Sequence, residues 1–422
     1  MNNSINPTSL FLTLSLRYNP TKNSILSRQK NIPSLRALNS KNFSELPMDY
    51  NHCLKKTEEF LEKSISRISE KKIAIGLSGG TDSSLNALFA SKSEKINLKL
   101  FCMGFGDSSD EFKDAEKIAK MCNADYHEII IDDIVKDLPQ RIWEFGSPKS
   151  NLWVYYNFKT VKKLGANATL SGEGGDELFG GYFFRYKKYL QNIPKTPFER
   201  AKRYVFSRPR DSISNYQSLF GKNIQNYKRT ILDSNVIISK FLPAFQNKLP
   251  FLSQIFLADY NYKLRFDFKM VDDIFAKNEK IKIYSPFLNK DLIHFATHIP
   301  NNFKLSKNTS KMILRDLLKK LGAPKSIYEK PKQGWGMKPT TIWKQGLDDK
   351  CERFLFDSYV VRDNWINKKW IKNTFNYIEK NKNSNPEKTY PYINKIWDVL
   401  SFEIFYIQKI LNQSKHGNIS NW

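Results

Sequence analysis

Apolar residues recur at helical spacing from Asp49 to about Glu70, where Leu54, Phe60, Leu61, Ile65 and Ile68 share one face. The pattern then changes to an apolar run, Ile73-Ala74-Ile75-Gly76-Leu77, which predicts a buried strand. A helix carrying Leu85, Leu88 and Phe89 is predicted after it. Further strands are predicted at Leu98–Met103, Tyr126–Ile131 and Ala168–Leu170. Helices at about Asp110–Met121, Asp132–Phe145 and Leu152–Leu164 separate them. This alternation predicts an α/β fold, a parallel sheet with helices on both faces. Residues 1–48, punctuated by Pro7, Pro20, Pro33 and Pro47, read as an extended arm with one short strand at Leu10–Leu16. After Tyr182 the strand signal fades. Segments such as Met312–Leu321 and Trp397–Ile410 have helical periodicity, and residues 191–250 give no clear pattern. The expected organisation is an N-terminal extension (1–48) and one domain (49–422). That domain divides into an α/β core (49–190) and a mostly helical part (191–422).

A chain of 422 residues with 40% hydrophobic content can bury a sizeable core. The run Leu10–Leu16 is far shorter than the roughly 20 apolar residues of a membrane span, so no membrane association is expected. Met1–Ser9 carries no positive charge, which argues against a secretory signal. Cys53, Cys102, Cys122 and Cys351 form no C-x-x-C pair, so reduced thiols in a cytoplasmic protein are expected. The net charge of +26 would attract a polyanion. The basic residues form no dense block, however, and nucleic acid is not the expected partner.

Between the first strand and its helix lies Ser78-Gly79-Gly80-Thr81-Asp82-Ser83-Ser84. Adjacent glycines let the backbone turn tightly against a ligand. The N-terminus of the next helix offers unpaired N–H groups and the positive end of its dipole, a seat for phosphate. Asp82 suits such an anion site only with a cation present, and a bridging Mg²⁺ resolves the conflict. The loop is neither a Walker-type phosphate loop nor a dinucleotide fingerprint. Its five specified positions arise by chance in about one chain per thousand of this size.

The fourth strand runs into a second Gly-rich loop, Ser171-Gly172-Glu173-Gly174-Gly175-Asp176-Glu177-Leu178-Phe179-Gly180-Gly181. Ligands of parallel α/β sheets sit beyond the carboxyl ends of the strands, where both loops are expected. Asp176 can supply a second Mg²⁺ ligand opposite Asp82. Glu173 can act on an incoming amine, or cap the N-terminus of the following helix.

The first loop resembles the pyrophosphate loop of the N-type ATP pyrophosphatases, which cleave ATP to AMP and pyrophosphate through an adenylated intermediate. The second resembles, position by position, the signature of the synthetase domain of glutamine-dependent asparagine synthetase. The likeness runs from about Asp49 to Trp343. It includes Met103-Gly104-Phe105, His127-Glu128, Ser285-Pro286-Phe287-Leu288-Asn289, Lys311-Met312-Ile313-Leu314-Arg315 and Lys330-Pro331-Lys332-Gln333-Gly334-Trp335-Gly336. The resemblance implies an adenine-nucleotide alpha-hydrolase-like fold, ATP and Mg²⁺ as cofactors, and an AMP-forming amide ligase. It implies nucleotide contacts at Leu77 and Met103 through their backbone, at Ser78, Gly79, Gly80, Asp82, Ser83 and Ser84, and at Ser171 and Gly172. Its residue for the β-aspartyl-AMP step falls on Glu173, and its pyrophosphate-side lysines on Lys311 and Lys332. The expected substrate is a small carboxylate, aspartate first.

This sequence also departs from the pattern. It begins Met1-Asn2, without the Cys that follows the initiator Met in the glutaminase half of that family. Free ammonia, a partner glutaminase or another amine is therefore the expected nitrogen source. The family's Glu-x-Arg stretch becomes Lys282-Ile283-Tyr284, its closing Asp becomes Asn289, and Gly146-Ser147-Pro148-Lys149 replaces an acidic-Pro-Phe stretch. A lactam or other specialised amide synthetase is therefore an alternative, although Glu173 stands where lactam synthetases tend to carry Tyr. A tRNA-binding or tRNA-modifying ATP pyrophosphatase is the alternative favoured by charge and the first loop alone.

Overall fold

The structure, a computed structural model, describes residues 4–105, 109–207, 217–227, 233–330 and 337–413. Five parallel strands form one sheet: β1 (Lys72–Gly76), β2 (Asn97–Gly104), β3 (Asp125–Ile130), β4 (Ala168–Leu170) and β5 (Lys282–Tyr284). Their order is β3-β2-β1-β4-β5. The chain thus builds outward from β1 in one direction, then returns to its other side. The switch point lies between β1 and β4, where open sheets of this kind hold ligands.

The strand sequences explain why both faces are covered. Ile73, Ile75, Leu98, Leu100 and Cys102 pack on one face, against helices Tyr50–Ser66, Thr81–Ser91 and Ser109–Met121. The alternate residues Ala74, Phe101 and Met103 join the opposite core, which helices Leu138–Phe145 and Val154–Lys163 cover. A strand apolar on both sides is what a parallel sheet between two helical layers requires.

Three elements differ from the sequence expectation. Residues Pro7–Leu16 form a helix, not a strand. Asn6 caps it by accepting from Ser9 N–H at 2.9 Å, Pro7 starts it, and the Thr13 hydroxyl donates to the Ser9 carbonyl at 2.8 Å. The alternating Thr13 and Ser15 imitate a strand pattern, but the helix is buried all round, which removes the two-sided contrast that such a pattern normally reports. The second difference is the start of the helix ending at Phe145, which begins at Leu138 and not at Asp132. The Asp133 carboxylate accepts from the N–H groups of Val135 and Lys136, closing a turn there instead. The third is β5, which pairs residue for residue with β4.

The N-terminal helix packs on the long helix Pro386–Lys409. Arg17 at its end reaches Asp398 at 3.1 Å, and Ser150 donates to the same carboxylate at 2.6 Å. Phe11 is 1% exposed and meets Phe220 with ring centroids 5.3 Å apart. Phe11→Ala is expected to lower unfolding free energy by about 3–5 kcal/mol, the cost of truncating a buried Phe. A urea unfolding midpoint within error of wild type would show the segment to be peripheral.

All four cysteines are buried and free. Among the described residues, no helix is long and apolar enough to cross a membrane.

Candidate active site

The loop after β1 and the loop after β4 face each other across the switch point and line one cleft of about 300 Å³. That volume lies at the small end of ordinary ligand sites. At the first loop, Leu77 N–H continues the sheet by donating to the Phe101 carbonyl at 2.7 Å. The backbone then turns through Gly79, whose φ of +60° is the left-handed region that suits glycine. Gly80 is the N-cap of Thr81–Ser91 and makes no side-chain cap bond. The first N–H groups of this helix therefore face the cleft without a capping side chain, the arrangement that binds an anion. Ser78 and Ser83 meet across the loop, their hydroxyls 3.2 Å apart.

The second loop is threaded tightly against the first. Asn86 from the helix behind the first loop donates to the Ser171 carbonyl at 3.0 Å. A Cβ on Gly175 would lie 2.5 Å from the Asp82 carboxylate, and one on Gly181 would overlap the Asp176 carboxylate. Glycine at these two positions lets the acidic side chains approach one another. They converge on one cation, since the Lys311 ammonium lies 2.5 Å from Asp82 and 2.5 Å from Asp176. Lys311 has a φ of 55°, unusual for a residue with a Cβ, and stands at the N-cap of Met312–Lys320. Non-glycine residues in this conformation carry backbone strain of order 1 kcal/mol that the surroundings must hold. The side chains of Lys311, Asp82 and Asp176 are 4%, 13% and 15% exposed, so the triad is shielded yet open to the cleft.

Behind this triad sits a second acidic pair. Both carboxyl oxygens of Glu173 are sealed from solvent and have no hydrogen-bond partner among the described residues. Burial, then the negative charge of Asp272, pushes its pKa well above the usual carboxylate range. Burial likewise pushes Asp272 up to about 7, against the opposing pull of Lys269. Asp272 is the charge that acts most strongly on Glu173. Ser171 fixes the arrangement: its hydroxyl accepts from Glu173 N–H at 3.2 Å and donates to Asp272 at 3.4 Å. Glu177, pushed up to about 7 by burial and by Asp176, braces the loop. It accepts from Tyr182 at 2.6 Å and from Gly174 N–H at 3.1 Å.

The Glu173–Asp272 pair makes stability depend on pH. A carboxyl whose pKa is raised on folding binds more protons in the native state between its unfolded value and its folded one. Native stability therefore falls as pH rises through that window, here from about 4 to about 7. Asp272→Asn keeps the neutral shape and removes the titration. Its thermal midpoint relative to wild type is expected to rise by at least about 2 °C between pH 5 and pH 8. A pH-independent difference would contradict the raised pKa.

Ser78, Gly79, Gly80, Asp82 and Ser83 line the cleft with Ser171, Gly172, Glu173, Asp176 and Lys311. Leu77, Ser84 and Met103 do not. Ser84 is buried beneath the loop, and Leu77 and Met103 close the carboxyl ends of β1 and β2 with their side chains in the two cores. Lys332 lies outside the described residues. Phe268 lines the cleft and Asp272 joins it through Ser171, and neither was singled out from sequence; Lys330, quoted there only as the start of a motif, lines the cleft too. Nothing local marks Phe268 or Asp272, because each enters through a long-range contact. Among the described residues no three His, Cys, Asp or Glu groups gather as a metal cluster. Two carboxylates around a cation do fit Mg²⁺, which commonly binds through one or two carboxylates and completes its shell with phosphates and water. The Lys311 ammonium is the stand-in cation that makes this fit visible.

The departures noted in the sequence are explained by the fold. Lys282 and Tyr284 both pair with Glu70, Lys282 at 2.6 Å, and neither lines the cleft. Lys149 is buried, ion-paired with Asp267 at 2.6 Å, and donates to the Arg17 carbonyl at 2.9 Å.

A parallel sheet covered on both faces, with two Gly-rich loops and an Asp–Lys–Asp triad at its switch point, defines an α/β protein with an anion-binding cleft. The chain belongs to the asparagine synthase family, whose profile matches residues 56–406. It is 24% identical over 405 residues to asparagine synthetase [glutamine-hydrolyzing] 1 of Bacillus subtilis (strain 168), covering 86% of this chain and 61% of that protein. It is 25% identical over 324 residues to a putative asparagine synthetase [glutamine-hydrolyzing] of Mycobacterium tuberculosis (strain ATCC 25618 / H37Rv), covering 67% and 48%. The chain thus spans 61% and 48% of the length of these two relatives. Among solved structures it is similar to an NH3-dependent NAD synthetase from Campylobacter jejuni, with 16% identity, a TM-score of 0.23, and coverage of 48% of this chain and 98% of that one.

Proposed function

We propose that the protein is an ATP-dependent amide ligase that activates a carboxylate, aspartate first, as an acyl-AMP and passes the acyl group to ammonia or an amine. The observation that carries this reading is the convergence of Asp82 and Asp176, from two separate loops, on one cation beside the bare N-terminus of helix Thr81–Ser91. That arrangement suits a magnesium-bound triphosphate. The substrate carboxylate attacks the α-phosphorus, the bond to the β-phosphate oxygen breaks, and pyrophosphate leaves. Mg²⁺ between Asp82 and Asp176 would supply charge neutralisation on the phosphates. The Lys311 ammonium is placed to meet the pyrophosphate, and the first helix N–H groups hold its oxygens. The nitrogen then attacks the acyl carbon and AMP leaves. The Glu173–Asp272 carboxyl pair accepts the proton that the nitrogen loses.

The test is pyrophosphate release with MgATP, ammonium and a panel of carboxylic acids. Turnover with aspartate supports the stated substrate, and turnover only with another acid moves the reading to a specialised amide or lactam synthetase. Steep, salt-dependent affinity for tRNA without turnover of any acid would favour the RNA-linked alternative.

A further inference from the structure

We infer that Lys330 is a third polyphosphate-binding cation of this cleft, with Asp114 as its resting partner and Arg315 as the residue that positions it. The inference rests on the nucleotide reading of the site. A Cβ placed on Gly79 would lie 3.3 Å from the Lys330 Nζ, so this ammonium sits directly over the turn that suits a phosphate group. Lys330 lines the same cleft as Lys311 and its two carboxylates. Glu111, whose carboxyl burial pushes up, lines it as well.

Its present partner is replaceable. Lys330 lies 3.0 Å from Asp114. Burial opposes the charged form of Asp114, but bonds from Lys330, Ser326 and Lys117 outweigh it and hold its pKa below the usual range. Ser326 donates at 3.0 Å and Lys117 lies at 3.2 Å, so Asp114 stays paired when Lys330 turns to an incoming anion. The backbone of Lys330 is meanwhile fixed. The Arg315 guanidinium donates to the carbonyls of Ser310 at 2.7 Å, Tyr328 at 2.5 Å and Lys330 at 2.9 Å. Ser310 directly precedes Lys311, so one planar fork ties together the backbone beside both lysines.

Calorimetric titration with magnesium pyrophosphate and, separately, with AMP tests this. Lys330→Met is expected to weaken pyrophosphate binding by about tenfold or more, the loss of one charge-assisted hydrogen bond. AMP binding should stay within about twofold, and Lys330→Arg should retain most of the pyrophosphate affinity. Unchanged pyrophosphate affinity in Lys330→Met, or an equal loss for AMP, overturns the assignment while leaving the nucleotide reading intact. Wild-type protein that binds neither probe overturns that reading, and the assignment with it.

Discussion

Asp82→Asn is expected to reduce pyrophosphate release by at least about 10³-fold, because it removes charge where the leaving group must be neutralised. The fold should survive. Asp82 is one of two carboxylates on the Lys311 ammonium, and the 2.5 Å pair between Lys311 and Asp176 remains in the variant. The substitution is isosteric, so Gly175 still faces a side chain of the same shape. An unchanged thermal midpoint with lost turnover would locate the effect in chemistry. Wild-type turnover in this variant would remove Asp82 from the phosphate site. A variant that fails to fold would instead mark the triad as structural, since leaving one buried charge unpaired is strongly destabilising.

Glu173→Gln is expected to separate the two half-reactions. The amide removes one of the two carboxyls that can accept a proton there but leaves the Asp–Lys–Asp triad untouched. With the correct acid and ammonium, the variant should release about one pyrophosphate per site in a burst. It should then turn over about 10²–10⁴ times more slowly than wild type, the usual worth of a positioned proton acceptor. Rapid-quench measurement of pyrophosphate and amide together reads both phases. Loss of the burst would place Glu173 in the adenylation step. Unchanged turnover would reduce it to a buried carboxyl that braces the loop.

Sequence legibility follows the range of the interactions involved. The strands around Ile73–Leu77 and Leu98–Met103 were readable because both faces are buried and the apolar run is continuous. The two Gly-rich loops were readable because turn, close approach and charge are all encoded within a few residues. β5 was not, because three residues carry no periodicity; its strand geometry comes from pairing with Ala168–Leu170. The N-terminal helix was misread because burial on every side removes the polar face that betrays a helix. Asp272 was invisible because it reaches Glu173 from a helix far along the chain. A π-helical stretch, Asp259–Phe268, lies just before that helix and hands over with the Lys269 N–H bonded to the Leu264 carbonyl. Lys330 opens a motif that the family resemblance marks, but the role proposed for it comes from its place over Gly79.

The central claim is that this cleft splits ATP at the α-phosphate. The most direct measurement is identification of the nucleotide products by phosphorus NMR after incubation with MgATP, ammonium and the carboxylic acid panel. The account predicts AMP and pyrophosphate in equal amounts, formed only when an accepted acid is present and lost in Asp82→Asn. ADP and phosphate as products, or no turnover with any acid together with no nucleotide binding, would contradict it.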